Sequence, residues 1–296
     1  MTLPNFFLFS KKAILAITFF TWTNNGFASD LNLPRKQSLP HHNVNFVQPY
    51  TNKPSTVETK SCRLLVHKQL NNIILSHGKH WGVLVEKLED GTILYSHNPD
   101  KYFIPASNNK IFTTAAALQL FNPKSKIGSK TLKSWINITN LKSNNYYADT
   151  LLRYVGGHQT AKNTLAELGI DSNSFRQVDG SGLSRRNVAT PRSLVTILRA
   201  TYYTAAKKHF YTSLPVAGLT GTLRHRMKST PAQGFVYAKT GTLRNVRALS
   251  GYINHPYFGM VVFSVLVNNS NVSGSNLIKE IDKIIIQLSK VNNCSY

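Results

Sequence analysis

The pattern of apolar and polar positions predicts a helix and then a hairpin in the first half of the chain. Apolar residues recur at helical spacing over 59–75, which favours a helix there. The next apolar runs, 81–88 and 92–95, flank Asp90-Gly91, a dipeptide typical of a tight turn between antiparallel strands. We therefore expect one helix packed beside a two-stranded hairpin.

The middle of the chain carries mainly helical patterns. The last of these helices begins at Thr190-Pro191, where proline suits the first turn. The predicted helices cover 111–121, 129–141, 145–155, 161–168 and 191–205. So many consecutive helices indicate a helical lobe.

Strand patterns return near the C-terminal end. Runs at 234–240, 248–253 and 257–268 read as strands, and 273–288 reads as an amphipathic helix. The whole order predicts an α+β fold of the α-β sandwich type. In it an antiparallel sheet is covered by the terminal helices and carries the inserted helical lobe.

The N-terminal residues have the pattern of a secretory signal peptide. Lys11 and Lys12 precede an apolar run at 13–20, and Gly26-Phe27-Ala28 places small residues at a plausible cleavage site. An uncleaved membrane anchor is the alternative, but the run is shorter than the ~20 residues that a spanning helix needs. We expect an exported protein, periplasmic or extracytoplasmic, with no transmembrane segment after cleavage. Its expected parts are a signal peptide (1–28), an exposed leader (29–58) and a single domain (59–296).

The charge of the chain is strongly positive. It has 35 Lys and Arg against 12 Asp and Glu, a formal net charge of +23. Such a surface attracts polyanions. Export argues against nucleic acid as the partner and favours peptidoglycan and anionic envelope polymers.

Three short strings in order predict the chemistry. They are Ser107-Asn108-Asn109-Lys110, Ser143-Asn144-Asn145 and Lys239-Thr240-Gly241, which read S-x-x-K, S-x-N and K-T-G. Each alone is weak, since S-x-x-K also occurs at Ser76-His77-Gly78-Lys79. Together they indicate a serine that attacks an amide or lactam carbonyl and forms an acyl-enzyme.

The residue types suit that reaction. Ser107 and Lys110 are three apart at a helix start, so they share a face. A serine hydroxyl needs a base, and a lysine can serve if burial and a nearby cation such as Lys239 lower its pKa. The helix N-terminus also places the Ser107 N–H where an oxyanion could bind.

The second and third strings offer groups for proton relay and substrate binding. Ser143 can pass a proton to the leaving amine, and Asn145 can hold Lys110 and a substrate amide. Lys239 and Thr240 can bind a terminal carboxylate at a strand end. Gly241 lets a substrate backbone approach closely.

The histidines do not form a better site. His77 and His80 flank a glycine, and no cysteine or acidic cluster accompanies them. We expect no metal and no cofactor.

The chain resembles the D-alanyl-D-alanine carboxypeptidases/endopeptidases of the class C low-molecular-mass penicillin-binding proteins, over about 81–287. Besides the three motifs, the resemblance rests on the strings at 105–110, 143–151, 179–185, 214–218, 221–224 and 238–243. It implies a β-lactamase/transpeptidase-like fold, peptidoglycan stem peptides as substrates and acylation by β-lactams. It also implies that Ser107 is acylated, that Lys110 accepts its proton, and that the Thr242 N–H joins that of Ser107 in the oxyanion hole.

The chain departs from the family in one large respect. Family members carry a long insertion between the first two motifs, whereas Ser107 and Ser143 are 36 positions apart here (143 minus 107). Part of that insertion borders the pocket for the diamino-acid side chain, so this contact is missing. Arg247 is also unusual for the family, and the sequence offers no account of it.

Two other functions fit part of the pattern. A β-lactamase would need a base for deacylation, but Glu167 lies in a helix-like run unlike a deacylation loop. A homologue that binds peptidoglycan without cutting it is the other alternative, against which the intact motifs argue.

The two cysteines of the chain are expected to form a disulfide. Cys62 lies near the start of the first helix and Cys294 just past the end of the last. In this fold type those helices pack side by side, so an antiparallel arrangement would bring the two sulfurs together. Two unpaired thiols are the alternative, since Cys294 lies in a polar tail.

Overall fold

The computed structural model describes residues 56–290, with the side chains at 56–63 and 75–77 excepted. The predicted signal peptide, nearly all of the leader and the Cys62–Cys294 pairing lie outside the described residues and stay predictions. The described residues belong to one compact unit, Arg35–Tyr296.

The described strands are β1 (Trp81–Lys87), β2 (Ile93–His97), β3 (Lys126–Ile127), β4 (Lys130–Thr131), β5 (Phe175–Arg176), β6 (Val188–Ala189), β7 (Val236–Leu243), β8 (Val246–His255) and β9 (Gly259–Asn268). Five of them form the main antiparallel sheet in the order β2-β1-β9-β8-β7, and two short hairpins, β3-β4 and β5-β6, are separate from it. Because β7 is an edge strand, one side of it is open to other partners.

Eight helices are described, and most follow the predicted pattern. They are α1 (Thr56–Ile74), α2 (Asn109–Leu120), α3 (Leu132–Leu141), α4 (Asn145–Val155), α5 (Gly157–Ala166), α6 (Pro191–Tyr202), α7 (Lys207–Tyr211) and α8 (Gly274–Ser289). Helix α7 and the short strands β3 to β6 were not predicted.

The predicted helix 129–141 is wrong at its start. Strands β3 and β4 pair through a turn in which Gly128 has φ of +60°. The helix begins only at Leu132. Thr131 is its N-cap, and Thr131 Oγ1 accepts a hydrogen bond from the N–H of Ser134 at 3.3 Å. Thr131 has an extended backbone and caps the helix with its side chain, so the hairpin ends and α3 begins at this residue.

The sheet separates two apolar cores. Along β9, Val261, Phe263, Val265 and Val267 face α1 and α8, while Val262 and Leu266 face the helical lobe. This two-residue alternation is what a strand covered on both faces requires. The predicted antiparallel sheet with terminal helices and a helical lobe is therefore confirmed.

Helix α2 is the central element of the helical lobe. Its first ten residues, Asn109 to Leu118, are all buried, and α3, α4, α5 and α6 pack around it. The buried polar residues at its start are unusual in a core, and they mark the place where the three motifs meet.

Candidate active site

Ser107 lies in a single 3-10 turn, Ala106–Asn108, that leads directly into α2. The preceding Ala106 has φ of +48°, a left-handed conformation that costs a residue with a Cβ of order 1–3 kcal/mol. A Cβ on Gly182 would collide with the Ala106 carbonyl oxygen, so a glycine is needed opposite this turn. The surrounding chain thus holds Ala106, the residue before Ser107, in a conformation that it would not adopt alone.

Lys110 is fully buried and donates three hydrogen bonds. Its Nζ lies 2.9 Å from Ser107 Oγ, 2.8 Å from Asn145 Oδ1 and 2.6 Å from the Ser181 carbonyl oxygen. All three donors of an ammonium are therefore used, and the side chain is fixed. Burial lowers the pKa of Lys110 to about 8, against the opposing effects of the Asp149 and Asp179 charges. Near neutral pH a usable fraction of this lysine is a neutral amine.

The second motif contacts both lysines of the site. Ser143 has φ of +54° and its Oγ accepts from Lys239 Nζ at 2.8 Å. Asn144 then caps α4 by accepting the N–H of Tyr147 at 3.0 Å, which places Asn145 in the first turn beside Lys110. The cap therefore fixes which side chain of this motif reaches the first one.

Lys239 is buried completely in the interior of the site. Its Nζ donates to Ser143 Oγ at 2.8 Å and to the Thr240 carbonyl oxygen at 3.0 Å. Burial, and next the charge of Lys110, hold the pKa of Lys239 well below its usual range. Lys110 thus disfavours the charge of Lys239, whereas the pKa of Lys110 is lowered by burial and not by Lys239.

Strand β7 presents an open edge beside Ser107. The Ala238 N–H donates to the Pro215 carbonyl, and the Val236 carbonyl accepts from the Ala217 N–H, so these residues turn their polar groups away from β8. By the two-residue alternation of a strand, Thr240 and Thr242 point their N–H and C=O groups to the same outer side.

Gly241 allows this edge to lie against the turn that carries Ser107. A Cβ there would lie 2.7 Å from the Pro105 carbonyl oxygen and 2.9 Å from the Ala248 Cβ. Thr240 is nearly buried, and its Oγ1 lies 2.7 Å from Thr222 Oγ1. Thr242 is exposed.

The loop at 179–184 supports the site, a role that the sequence did not assign to it. Asp179 accepts the N–H groups of Gly182 and Ser184, each at 2.6 Å. Asp149, on α4, accepts the Ser181 N–H at 2.8 Å. These bonds aim the Ser181 carbonyl at Lys110. Both carboxylates fall within the strings that carry the family resemblance, which was the available signal.

A buried polar column joins the turn of the first motif to the sheet. The Asn108 amide lies 2.7 Å from Ser250 Oγ and, in the amide orientation that satisfies its neighbours, donates to the Lys239 carbonyl at 2.8 Å. Ser250 Oγ is in turn 2.9 Å from Ser264 Oγ. Asn108 therefore connects the first motif to the third.

The second S-x-x-K string does not resemble the first. Gly78 interrupts its 3-10 turn with non-helical angles, and Lys79 is exposed. Within 56–290, side-chain gaps excepted, no three His, Cys, Asp or Glu residues gather as metal ligands would. None of the helices described there combines the length and apolar character of a membrane span.

A fold and site of this kind define the serine enzymes that react with penicillin. A model of the D-Ala-D-Ala carboxypeptidase 3 (S13) family matches residues 66–131 and 125–288, which include all three motifs. The chain belongs to this family.

Individual relatives agree with the family assignment. The chain is 39% identical over 181 residues to "Penicillin-sensitive carboxypeptidase A" of Dictyostelium discoideum. The aligned region covers 55% of this chain and 35% of that protein. The chain spans about a third of the length of the curated relatives it matches.

Solved structures share the fold at low sequence identity. Penicillin binding protein 4 of Haemophilus influenzae, solved with a β-lactam, superposes with a TM-score of 0.64 at 15% identity over 75% of this chain and 99% of that chain. The TLA-3 extended-spectrum β-lactamase gives a TM-score of 0.63 at 18% identity over 75% and 97%. The predicted β-lactamase/transpeptidase-like fold is thereby confirmed.

Proposed function

We propose that this chain is a serine D-alanyl-D-alanine carboxypeptidase/endopeptidase that acts on peptidoglycan stem peptides and is acylated by β-lactams on Ser107. The observation that carries the proposal is the 2.9 Å contact between Ser107 Oγ and the buried Lys110 Nζ, whose pKa is lowered to about 8. A lysine of this kind can be neutral when substrate binds, as a general base must be.

Acylation begins when neutral Lys110 takes the Ser107 hydroxyl proton. The Ser107 oxygen then bonds to the D-Ala carbonyl carbon, and the carbonyl oxygen becomes an oxyanion. The N–H groups of Ser107 and of Thr242, at the open edge of β7, stabilise that charge.

Collapse of this intermediate breaks the C–N bond and releases D-Ala. The leaving nitrogen needs a proton, which Ser143 donates, and Ser143 then recovers the proton that Lys110 took from Ser107. Lys239 donates to Ser143 Oγ, and Asn145 accepts from Lys110, so both keep the relay in place. Lys110 is neutral again at the end of this step and can activate the water that hydrolyses the acyl-enzyme.

The geometry gives less support to a β-lactamase. Glu167 is exposed just beyond the end of α5. Asp149 and Asp179, the carboxylates that act on the pKa of Lys110, are bound by backbone N–H groups. None of these three carboxylates is thus poised as a separate base for deacylating water.

We further propose an extracytoplasmic location and contact with anionic envelope polymers. The sequence supports both, through the signal-peptide pattern at 1–28 and the net charge of +23. Retention on isolated cell envelopes should fall as salt rises, because exposed charges are screened within ~10 Å at 0.1 M. Salt-insensitive retention would instead indicate an uncleaved anchor.

The decisive experiment pairs labelled penicillin with a D-Ala release assay on a pentapeptide. The wild-type chain should be labelled and should release D-Ala, and Ser107→Ala should do neither. Ser76→Ala is the matched control from the second S-x-x-K string, and it should behave as wild type. Labelling without peptide cleavage would favour a non-cleaving homologue, and rapid turnover of the β-lactam would favour a β-lactamase.

A further inference from the structure

A cation at the edge of β7 would strengthen the binding of a substrate that ends in a carboxylate, and Lys239 is poorly placed to supply it. Lys239 is completely buried and is already bonded to Ser143 Oγ and to the Thr240 carbonyl. Burial also disfavours its charged form. In the structure Lys239 positions Ser143. We therefore expect a second cation nearby to bind the carboxylate.

Arg247 lies on the same face of the sheet edge as the threonines of the third motif. It pairs directly with Thr242 across the antiparallel strands β7 and β8. Because Thr242 turns its backbone groups outward, the pair is of the non-hydrogen-bonded kind, in which the side chains are closest. Thr240, two residues along, shares this face, and its hydroxyl contacts that of Thr222.

The Arg247 guanidinium has no carboxylate partner among the described residues. Nη1 donates to the Leu243 and Val246 carbonyls, at 2.7 Å each, and the buried Nε has no hydrogen-bond partner. The neighbouring Arg226, by contrast, binds Asp282, with Nη2 at 2.6 Å from Oδ1. Two backbone carbonyls therefore fix the position of the Arg247 side chain, but no carboxylate of the described residues neutralises its charge.

The chain at the start of α8 leaves room for this arginine. A Cβ on Gly274 would collide with Nη2 of Arg247, so glycine is required at that position for the observed side-chain placement. Burial, and next Arg226, lower the pKa of Arg247 from its usual value, yet an arginine remains charged at neutral pH. A bound anion would relieve this unfavourable environment.

We infer that Arg247 is a substrate-binding residue which, with the Thr240 and Thr242 hydroxyls, recognises the terminal carboxylate of the stem peptide and the carboxylate of a β-lactam. The inference rests on the proposed function. A guanidinium donates charge-assisted hydrogen bonds to a carboxylate, and Nη2, which donates none of the Arg247 hydrogen bonds, is the group left over for this.

A purely structural role makes a different prediction. If Arg247 only braces the β7–β8 hairpin through Leu243 and Val246, its loss would slow the reaction of every acylating compound equally. Carboxylate recognition would slow only the compounds that carry the carboxylate. The ratio of two acylation rates separates these cases, and it is independent of the fraction of protein that is folded.

The test measures acylation rate constants for benzylpenicillin and for its methyl ester, which lacks the carboxylate. In Arg247→Met the ratio of the first to the second should fall about tenfold to a hundredfold. Arg247→Lys keeps a cation and should recover part of the ratio, and it serves as the folded variant if Arg247→Met does not fold. Arg226→Met, which removes the neighbouring cation bound to Asp282, should leave the ratio within about twofold.

Each other outcome is decisive as well. An unchanged ratio in Arg247→Met, or in Arg247→Ala, would overturn the inference and leave the proposed function intact. A wild-type chain that neither compound acylates would overturn the proposed function itself, and this inference with it.

Discussion

Nζ of Lys239 lies 2.8 Å from Oγ of Ser143, although 96 positions of sequence separate the two residues. The contact joins the edge of the sheet to the loop before α4. Since Ser143 has a left-handed backbone, this bond is part of what holds its hydroxyl toward the site.

Removing either Lys239 or Ser143 should slow D-Ala release, because each loss breaks the contact between them. Lys239→Met and Ser143→Ala should each lower kcat/KM, because the relay to the leaving nitrogen is lost. The double variant should fall no further than the worse single one, with a coupling energy of about 1.5–3 kcal/mol. A double-mutant cycle on pentapeptide cleavage measures this. Additive losses would mean that the residues act separately.

The pH dependence of acylation should report on Lys110. Burial lowers its pKa to about 8, and only the neutral amine can accept the Ser107 proton. The acylation rate should therefore rise with pH and level off above about 8. Stopped-flow labelling of the free enzyme between pH 6 and 10 checks this. A profile that is flat across this range would exclude Lys110 as the base.

A buried histidine should make stability fall in mild acid. His255 Nδ1 accepts the N–H groups of Tyr257 and Phe258, at 3.1 and 3.0 Å, and Nε2 lies 3.1 Å from the Leu288 carbonyl. This arrangement needs a neutral ring, and burial lowers the pKa of His255. The unfolded chain thus binds the proton first as pH falls below about 6.5.

The contribution of His255 to the free energy of unfolding should accordingly be constant above that pH and decline below it, by up to about 1.4 kcal/mol per pH unit for one proton. Denaturant unfolding at several pH values measures the slope. His255→Gln should remove this component of the slope, while the exposed His158→Gln should retain it. Equal slopes in all three proteins would refute the assignment.

The missing insertion should relax the selectivity for the substrate side chain. Only α2, the β3-β4 hairpin and α3 lie between Ser107 and Ser143, so that segment builds no wall from a further domain. Peptides with lysine or with meso-diaminopimelate before the D-Ala pair should be cut with similar kcat/KM. A hundredfold preference for one would show that other residues have rebuilt the pocket.

The fold was largely predictable because the sheet is buried on both faces. Strands such as β9 alternate between two apolar cores and give long apolar runs. The hairpin β3-β4 escaped prediction because its strands have only two residues each and carry exposed lysines. Local propensity cannot distinguish so short a strand from a helix start.

That the three motifs lie together was predictable, but the contacts that support them were not. Spacing alone placed Ser107 and Lys110 on one face. The partners of Lys110 also include the Ser181 carbonyl, a backbone atom that no side-chain pattern reveals. The same holds for Asn108, whose contacts with Ser250 and the Lys239 carbonyl depend on how the turn meets the sheet. The proposed role of Arg247 depends on the pairing of Arg247 with Thr242 across β7 and β8, which the sequence alone does not give.

The short opening along β7 has a consequence for self-association. Unpaired sheet edges invite pairing with another chain and are a common route to aggregation. Here the segment at 215–217 already occupies the outer side of β7 at Val236 and Ala238, and only Thr240 and Thr242 are left without a strand partner on that side. So brief a stretch gives a foreign strand too few hydrogen bonds to dock, yet it suffices for the end of a small peptide. The segment at 215–217 thus restricts the length of ligand that can pair with β7. It should also prevent two molecules from associating through this edge of the sheet.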